Sequence, residues 1–137
     1  MSKVMGRFFS IDELSKSDTA IKKGIDNIPP EKVRRSLEAL IDNVLDPLRA
    51  AYGKPITVNS GYRSPALNKA VGGAAGSQHL SGEAADISVG SRDGNKQLLE
   101  LACKLELPFD QLIDEKNFAW VHISYGARNR RQVLRLK

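Results

Sequence analysis

Two histidines and one aspartate are the residues of this chain best suited to bind a metal ion. The stretch SQHLSGEAADI, Ser77 to Ile87, holds His79 and Asp86 seven residues apart with Gly82 between them; the only other histidine, His122, lies in the apolar run WVHIS, Trp120 to Ser124. Imidazole nitrogen and carboxylate oxygen are both zinc ligands, and a catalytic zinc site takes three protein ligands while keeping a fourth position for water or substrate. A seven-residue step could put His79 and Asp86 on one helical face. Ser81-Gly82 interrupts such a helix, however, so His79 is expected on a loop and Asp86 on the strand that follows. On residue types and spacing alone a plainer reading stands beside the metal. A histidine in an apolar strand is commonly a satisfied core residue, and an aspartate before a strand is commonly a turn residue.

The elements that must position these residues can be read from periodicity. FDQLIDE and AWVHISY are two strand-like runs separated by a short polar stretch, which predicts a hairpin. If residues 116–119 make its turn, Glu115 faces Trp120 and lies diagonal to His122, on the histidine's side of the sheet. Upstream, SIDEL has the S-x-x-E form of a capping box and predicts a short helix from about Ile11, followed by a looser segment around Gly24 and Asn27. Pro29-Pro30 opens a second helix running from Glu31 to about Tyr52, with Val33, Leu37, Leu40, Ile41, Val44, Leu45 and Leu48 recurring at helical spacing on its core face. Pro47 should kink that helix or start a new turn. ITVNS reads as a strand, SGYRSPALNKAVGG as a turn, a short helix and a glycine exit, and EAADISV as a half-buried strand. Ser91 to Gly94 reads as a turn, residues 95–106 as a helix, and QVLRL as a last edge strand. The pattern predicts an α+β fold, N-terminal helices packed on a small antiparallel sheet.

Composition narrows the class. The chain has 137 residues, enough for a single domain with one core: a helical part at about 10–52, a metal-site core at about 56–125 and a basic edge at 127–137. The net charge of +5 and the ending ARNRRQVLRLK favour anionic surroundings without choosing among nucleic acid, lipid and acidic polymer. Cys103 is the only cysteine, which excludes an internal disulfide; its place in LLELACKLEL predicts a buried, inert thiol. No apolar run is long enough to span a bilayer, so no membrane insertion is expected. The opening MSKVMGRFFS does not read as a secretory signal, which predicts synthesis in the cytoplasm.

Ser77, His79, Gly82, Ala84 and Asp86 match the pattern S-x-H-x-x-G-x-A-x-D. With SGYRSPALN upstream and WVHIS downstream, the stretch Ile56 to Tyr125 resembles the zinc D-Ala-D-Ala carboxypeptidase family. That family includes vancomycin-resistance dipeptidases and phage L-alanyl-D-glutamate endolysins. The resemblance implies a Hedgehog/DD-peptidase-like fold, one zinc ion and the ligand set His79, Asp86 and His122. It makes Arg63 the arginine that binds substrate and polarises its carbonyl, as a fixed guanidinium can. Ser77 is carried with the substrate-binding loop, although Ser77 and Gly82 also suit a role in shaping it. One departure stands out. Many relatives carry an acidic residue three positions before the last histidine as general base, and Ala119 occupies that position here. Glu115 is the replacement candidate, Asp114 the second and Glu83 the third; opposite pleat faces argue against Asp114 unless a bulge intervenes.

The resemblance thus implies a zinc peptidase acting on peptidoglycan peptide stems, with Glu115 and Arg63 as catalytic residues and a monomer expected. A phage or prophage lysis enzyme, released to the wall, would suit a chain read as cytoplasmic. A catalytically inactive zinc-containing module that binds cell-wall fragments or a protein is the alternative, with Ala119 as the trace of a lost base. Nucleic acid is not an expected partner, because the basic ending lacks interleaved aromatics or a recognisable motif.

Overall fold

The computed structural model describes residues 8–136. The expectation about a leader falls on an opening stretch whose first seven residues lie outside them. Helix α1 spans Ile11–Ser15 and is capped at its start, where Ser10 Oγ accepts the Glu13 N–H at 3.1 Å. The segment expected to be loose instead contains helix α2, Asp18–Lys23, capped by Ser17 and ended by a left-handed Gly24. Six residues are too few for helical periodicity to register in the sequence, and local caps start and stop the helix.

Helix α3, Glu31–Leu40, continues through a π-helical turn, Ile41–Leu45, into α4, Asp46–Tyr52. The turn answers the question posed by Pro47. A proline cannot donate the next helical hydrogen bond and crowds the preceding turn. The wider turn, in which the Asp46 N–H reaches the Ile41 carbonyl, admits it without ending the helix. Leu37, Leu40, Ile41, Val44, Leu45 and Leu48 are all buried along this unit, and Val33 is half-buried against them.

The strands are β1 (Thr57–Ser60), β2 (Ala84–Ser88), β3 (Gln111–Glu115), β4 (Trp120–Ser124) and β5 (Gln132–Leu136), in sheet order β1-β2-β4-β3-β5. Helix α5, Pro65–Ala70, and a 3₁₀ turn, Gln78–Ser81, join β1 to β2, and α6, Arg92–Lys104, joins β2 to β3. The α+β reading holds, but the sheet is mixed rather than antiparallel. The first four strands pair antiparallel, whereas β5 runs parallel to β3. The chain leaving β4 crosses the start of β3, where the Arg131 and Gln132 N–H groups donate to the Phe109 and Asp110 carbonyls, and so enters the far edge in the parallel sense.

Three local expectations also change. Strand β2 is buried along most of its length because it lies inside the sheet, with helices on one face and the site on the other. Ser91 to Gly94 is the N-cap and first turn of α6, not a separate turn. Cys103 is exposed: Leu98 and Ala102 define the inner face of α6, and one further residue turns the thiol away from it.

The core lies between the helices and one face of the sheet, where Ala85, Ile87, Leu112, Val121 and Ile123 meet the α3–α4 unit and Leu98. Strand alternation therefore sends Asp86, His122 and Glu115 to the opposite face.

Candidate metal centre

Register brings the polar face together. Asp86 on β2 is directly paired with His122 on β4, and Ser60 at the end of β1 pairs with Asp86 from the other side. His79 arrives from the 3₁₀ turn, whose N-cap Ser77 accepts the His79 N–H through Oγ at 3.1 Å. Gly82 closes that turn with φ of +73°; a Cβ there would lie 2.8 Å from both the Val33 carbonyl oxygen and its side chain. A left-handed glycine packed on α3 thus folds the chain back so that His79 and Asp86 converge.

The potential ligand atoms of His79, Asp86 and His122 all lie within 4.8 Å of one another, and all three residues are buried. Asp86 Oδ1 is 3.3 Å from His79 Nε2 and 3.1 Å from His122 Nδ1. A tetrahedral ion with bonds of about 2.0–2.1 Å to nitrogen and oxygen separates its ligand atoms by roughly 3.3–3.4 Å, so this donor set fits one. The second nitrogen of His79 strengthens the fit. Its Nδ1–H donates to the buried Gly61 carbonyl at 2.7 Å, which orients the ring and leaves the Nε2 lone pair facing Asp86. Gly61 must be glycine for this, because a Cβ would run into the Leu14 backbone. Burial pushes the Asp86 carboxyl up, but the two imidazoles beside it outweigh burial and hold the group well below the usual carboxylate range, so it is ionised as a metal ligand must be.

Arg63 lies on the link between β1 and α5, its backbone N–H bonded to the His79 carbonyl at 3.0 Å. The guanidinium donates to Ser60 Oγ at 3.2 Å and to Asn68 Oδ1 at 3.3 Å, and Nη2 lies 3.6 Å from Asp86 Oδ2. Asn68, itself buried, donates to the Ala74 carbonyl. Sequence reasoning missed Gly61 and Asn68 as supports, although both lie within SGYRSPALN, whose polar positions converge on Arg63 and His79.

Glu115 pairs with Trp120 across the hairpin, with residues 116–119 as the turn, and its Oε2 lies 3.8 Å from His122 Nδ1. Asp114 belongs to the other face. It is buried, accepts the Phe118 N–H at 2.6 Å and pairs with Arg135 at 3.1 Å, so it secures the turn and the edge strand. Glu83 accepts the Ser81 hydroxyl at 2.5 Å and is absent from the lining of the metal cleft. Ala119, in the turn, contributes backbone bonds alone: its N–H donates to the Glu115 carbonyl at 3.1 Å and its carbonyl accepts from Asn95. A cleft of about 400 Å³ contains the three ligand residues together with Arg63, Glu115 and Trp120. A larger hollow of about 650 Å³ beside β1 holds none of the ligands but shares Arg63 with the cleft.

Comparison with known proteins agrees with this geometry. A profile of the family described as Peptidase M15 matches residues 7–124. A stretch of 49 residues is 53% identical to the Zinc D-Ala-D-Ala carboxypeptidase of Streptomyces albus G, covering 35% of this chain and 19% of that protein. The matched stretch is thus about a fifth of the relative's length.

Proposed function

Because the chain belongs to the Peptidase M15 family, we propose that it is a zinc-dependent peptidase that hydrolyses peptide bonds in bacterial peptidoglycan stems. The observation that carries this reading is the convergence of two imidazole nitrogens and one carboxylate oxygen in a cleft that also presents Arg63 and Glu115. His79, Asp86 and His122 would hold one zinc ion. When bound, zinc supplies Lewis acidity that activates water and polarises the scissile carbonyl. Glu115 takes the proton from the attacking water and passes it to the leaving amine; its partial exposure and position beside His122 suit that exchange. Arg63, braced by Ser60 and Asn68, holds the substrate carboxylate or the developing oxyanion without having to reorganise. Ser77 acts through the loop it caps, which borders the same cleft.

The family resemblance supports a D,D- or L,D-type carboxypeptidase or endopeptidase with a Hedgehog/DD-peptidase-like fold, acting as a single-domain monomer at the wall. No helix among the described residues is long and apolar enough to cross a membrane. A phage or prophage lysis role fits an enzyme that meets the wall after release. Ala119 favours a second reading, an inactive zinc-containing module, because that position carries no acid.

Mass spectrometry of muropeptides separates the two. Purified peptidoglycan is incubated with zinc-loaded protein and with Asp86→Ala. New fragments from the intact protein alone are expected and would name the bond. Zinc retained with no fragments would overturn the enzyme in favour of the binding module.

A further inference from the structure

A second charged group borders the metal cleft and takes no part in the chemistry above. Arg128 and Arg130, from the loop between β4 and β5, line the cleft with Arg63, so that three arginines face two carboxylates, Asp86 and Glu115. Both loop arginines lean on Asp110, whose side chain is only 1% exposed. Asp110 Oδ1 accepts the Arg130 backbone N–H at 3.1 Å and Nε–H at 2.8 Å; Oδ2 accepts Arg130 Nη2–H at 3.2 Å and Gln78 Nε2–H at 3.0 Å. A carboxylate offers about four acceptor positions, and those four donors fill them.

Arg128 is therefore left over. Its Nη2 lies 3.6 Å from Asp110 Oδ2, an ion contact rather than a hydrogen bond, and its side chain is 63% exposed. The loop that carries it is braced within itself by the Gly126 N–H on Asn129 Oδ1 and tied to the start of β3 by the Arg131 and Gln132 N–H groups. Arg131 is held at φ of +52°, a conformation that a non-glycine residue keeps only when its surroundings impose it. A fixed loop thus presents a guanidinium with unused donors beside the cleft, and the one buried carboxylate beneath it is already committed to Arg130.

We infer that Arg128, seated over the Asp110–Arg130 pair, forms an anion subsite that takes a second carboxylate of the peptide substrate, distinct from the one assigned to Arg63. The inference rests on the peptidase reading and names its substrate class: peptides with a free side-branch carboxylate in addition to the C-terminal one. A guanidinium fork matches a carboxylate in shape and charge. Exposure and salt screening limit the gain to about fivefold in affinity, an effect that weakens as ionic strength rises.

The test is calorimetric binding of two peptides to the zinc-loaded protein. One is L-alanyl-γ-D-glutamyl-L-lysyl-D-alanyl-D-alanine, N-methylated at its amide bonds to resist hydrolysis. The other differs only in a carboxamide replacing the glutamate carboxylate. The wild type is expected to prefer the carboxylate about fivefold at low salt. Arg128→Gln should bind the two alike and Arg128→Glu should invert the preference, both with wild-type zinc content and melting temperature. Equal binding by the wild type, or full preference in Arg128→Gln, overturns the subsite. If unmethylated peptide is still cleaved in that case, the peptidase reading stands. A preference without any cleavage keeps the subsite and overturns the peptidase, and binding of neither peptide together with no cleavage overturns both.

Discussion

His79 divides its two ring nitrogens between structure and ligation, and the consequences of its loss divide in the same way. Removing the ring takes away Nε2 from the metal cluster and also leaves the buried Gly61 carbonyl unpaired, which costs about 1–3 kcal/mol. His122 has only the first consequence, since its Nδ1 faces Asp86 and Glu115. His79→Ala and His122→Ala are both expected to lose stoichiometric zinc by elemental analysis, with His79→Ala also melting lower. Unchanged zinc in both would refute the ligand assignment. Glu115→Gln keeps shape and removes basicity. It should retain zinc while turnover falls roughly 10²–10⁴-fold; full activity would return the role of base to a different group. Asp114 is poorly placed to inherit it, being turned to the other face and tied to Phe118 and Arg135.

At the level of elements, the site depends on how each segment stops. The 3₁₀ turn ends at Gly82, whose left-handed backbone and closeness to the Val33 carbonyl leave no room for a side chain. Gly82→Ala should destabilise the protein by roughly 1–3 kcal/mol from backbone strain alone. The joint lies between two ligands, so zinc affinity should fall as well. Chemical denaturation with parallel zinc titration checks both, and a variant with wild-type stability and affinity would show that the joint tolerates another geometry. The hairpin turn is built on the same logic: Lys116, Asn117 and Phe118 all have positive φ, and Asp114 holds Phe118 by its N–H. That turn sets the register in which Glu115 lies diagonal to His122.

Across the whole molecule, Asp110 joins parts that are distant in sequence. Its carboxylate binds Gln78 in the ligand turn and Arg130 in the loop before β5, while its backbone meets Ser124 at the end of β4. Hydrogen bonds from Arg130 lower its pKa to about 2, against some opposition from burial. A carboxyl whose folded pKa is depressed adds stability that is present above its unfolded value and is lost as pH falls through the folded one. Asp110→Asn should therefore be less stable than wild type at pH 6 by on the order of 1–2 kcal/mol, with the gap closing between about pH 4 and pH 2. Thermal melts of the two proteins across that range check it, and a gap independent of pH would show that the carboxylate's charge is not what binds these parts together.

The sequence by itself determined what is local. Ser10 with Glu13 and Pro29-Pro30 mark helix starts that the structure contains, and alternation in WVHIS places His122 opposite the core. The spacing of His79, Gly82 and Asp86 encodes a turn followed by a strand, because a left-handed glycine and a short cap act over a few residues. Only the tertiary structure decided what depends on register and packing between distant segments. The parallel pairing of β5, the exposure of Cys103, the support of His79 by Gly61 and of Arg63 by Asn68, and the meeting of Gln78, Arg128 and Arg130 at Asp110 are of this kind. No local propensity specifies such contacts. They follow from burying one face of a five-stranded sheet against the helices, which sets where every other polar side chain must find its partner.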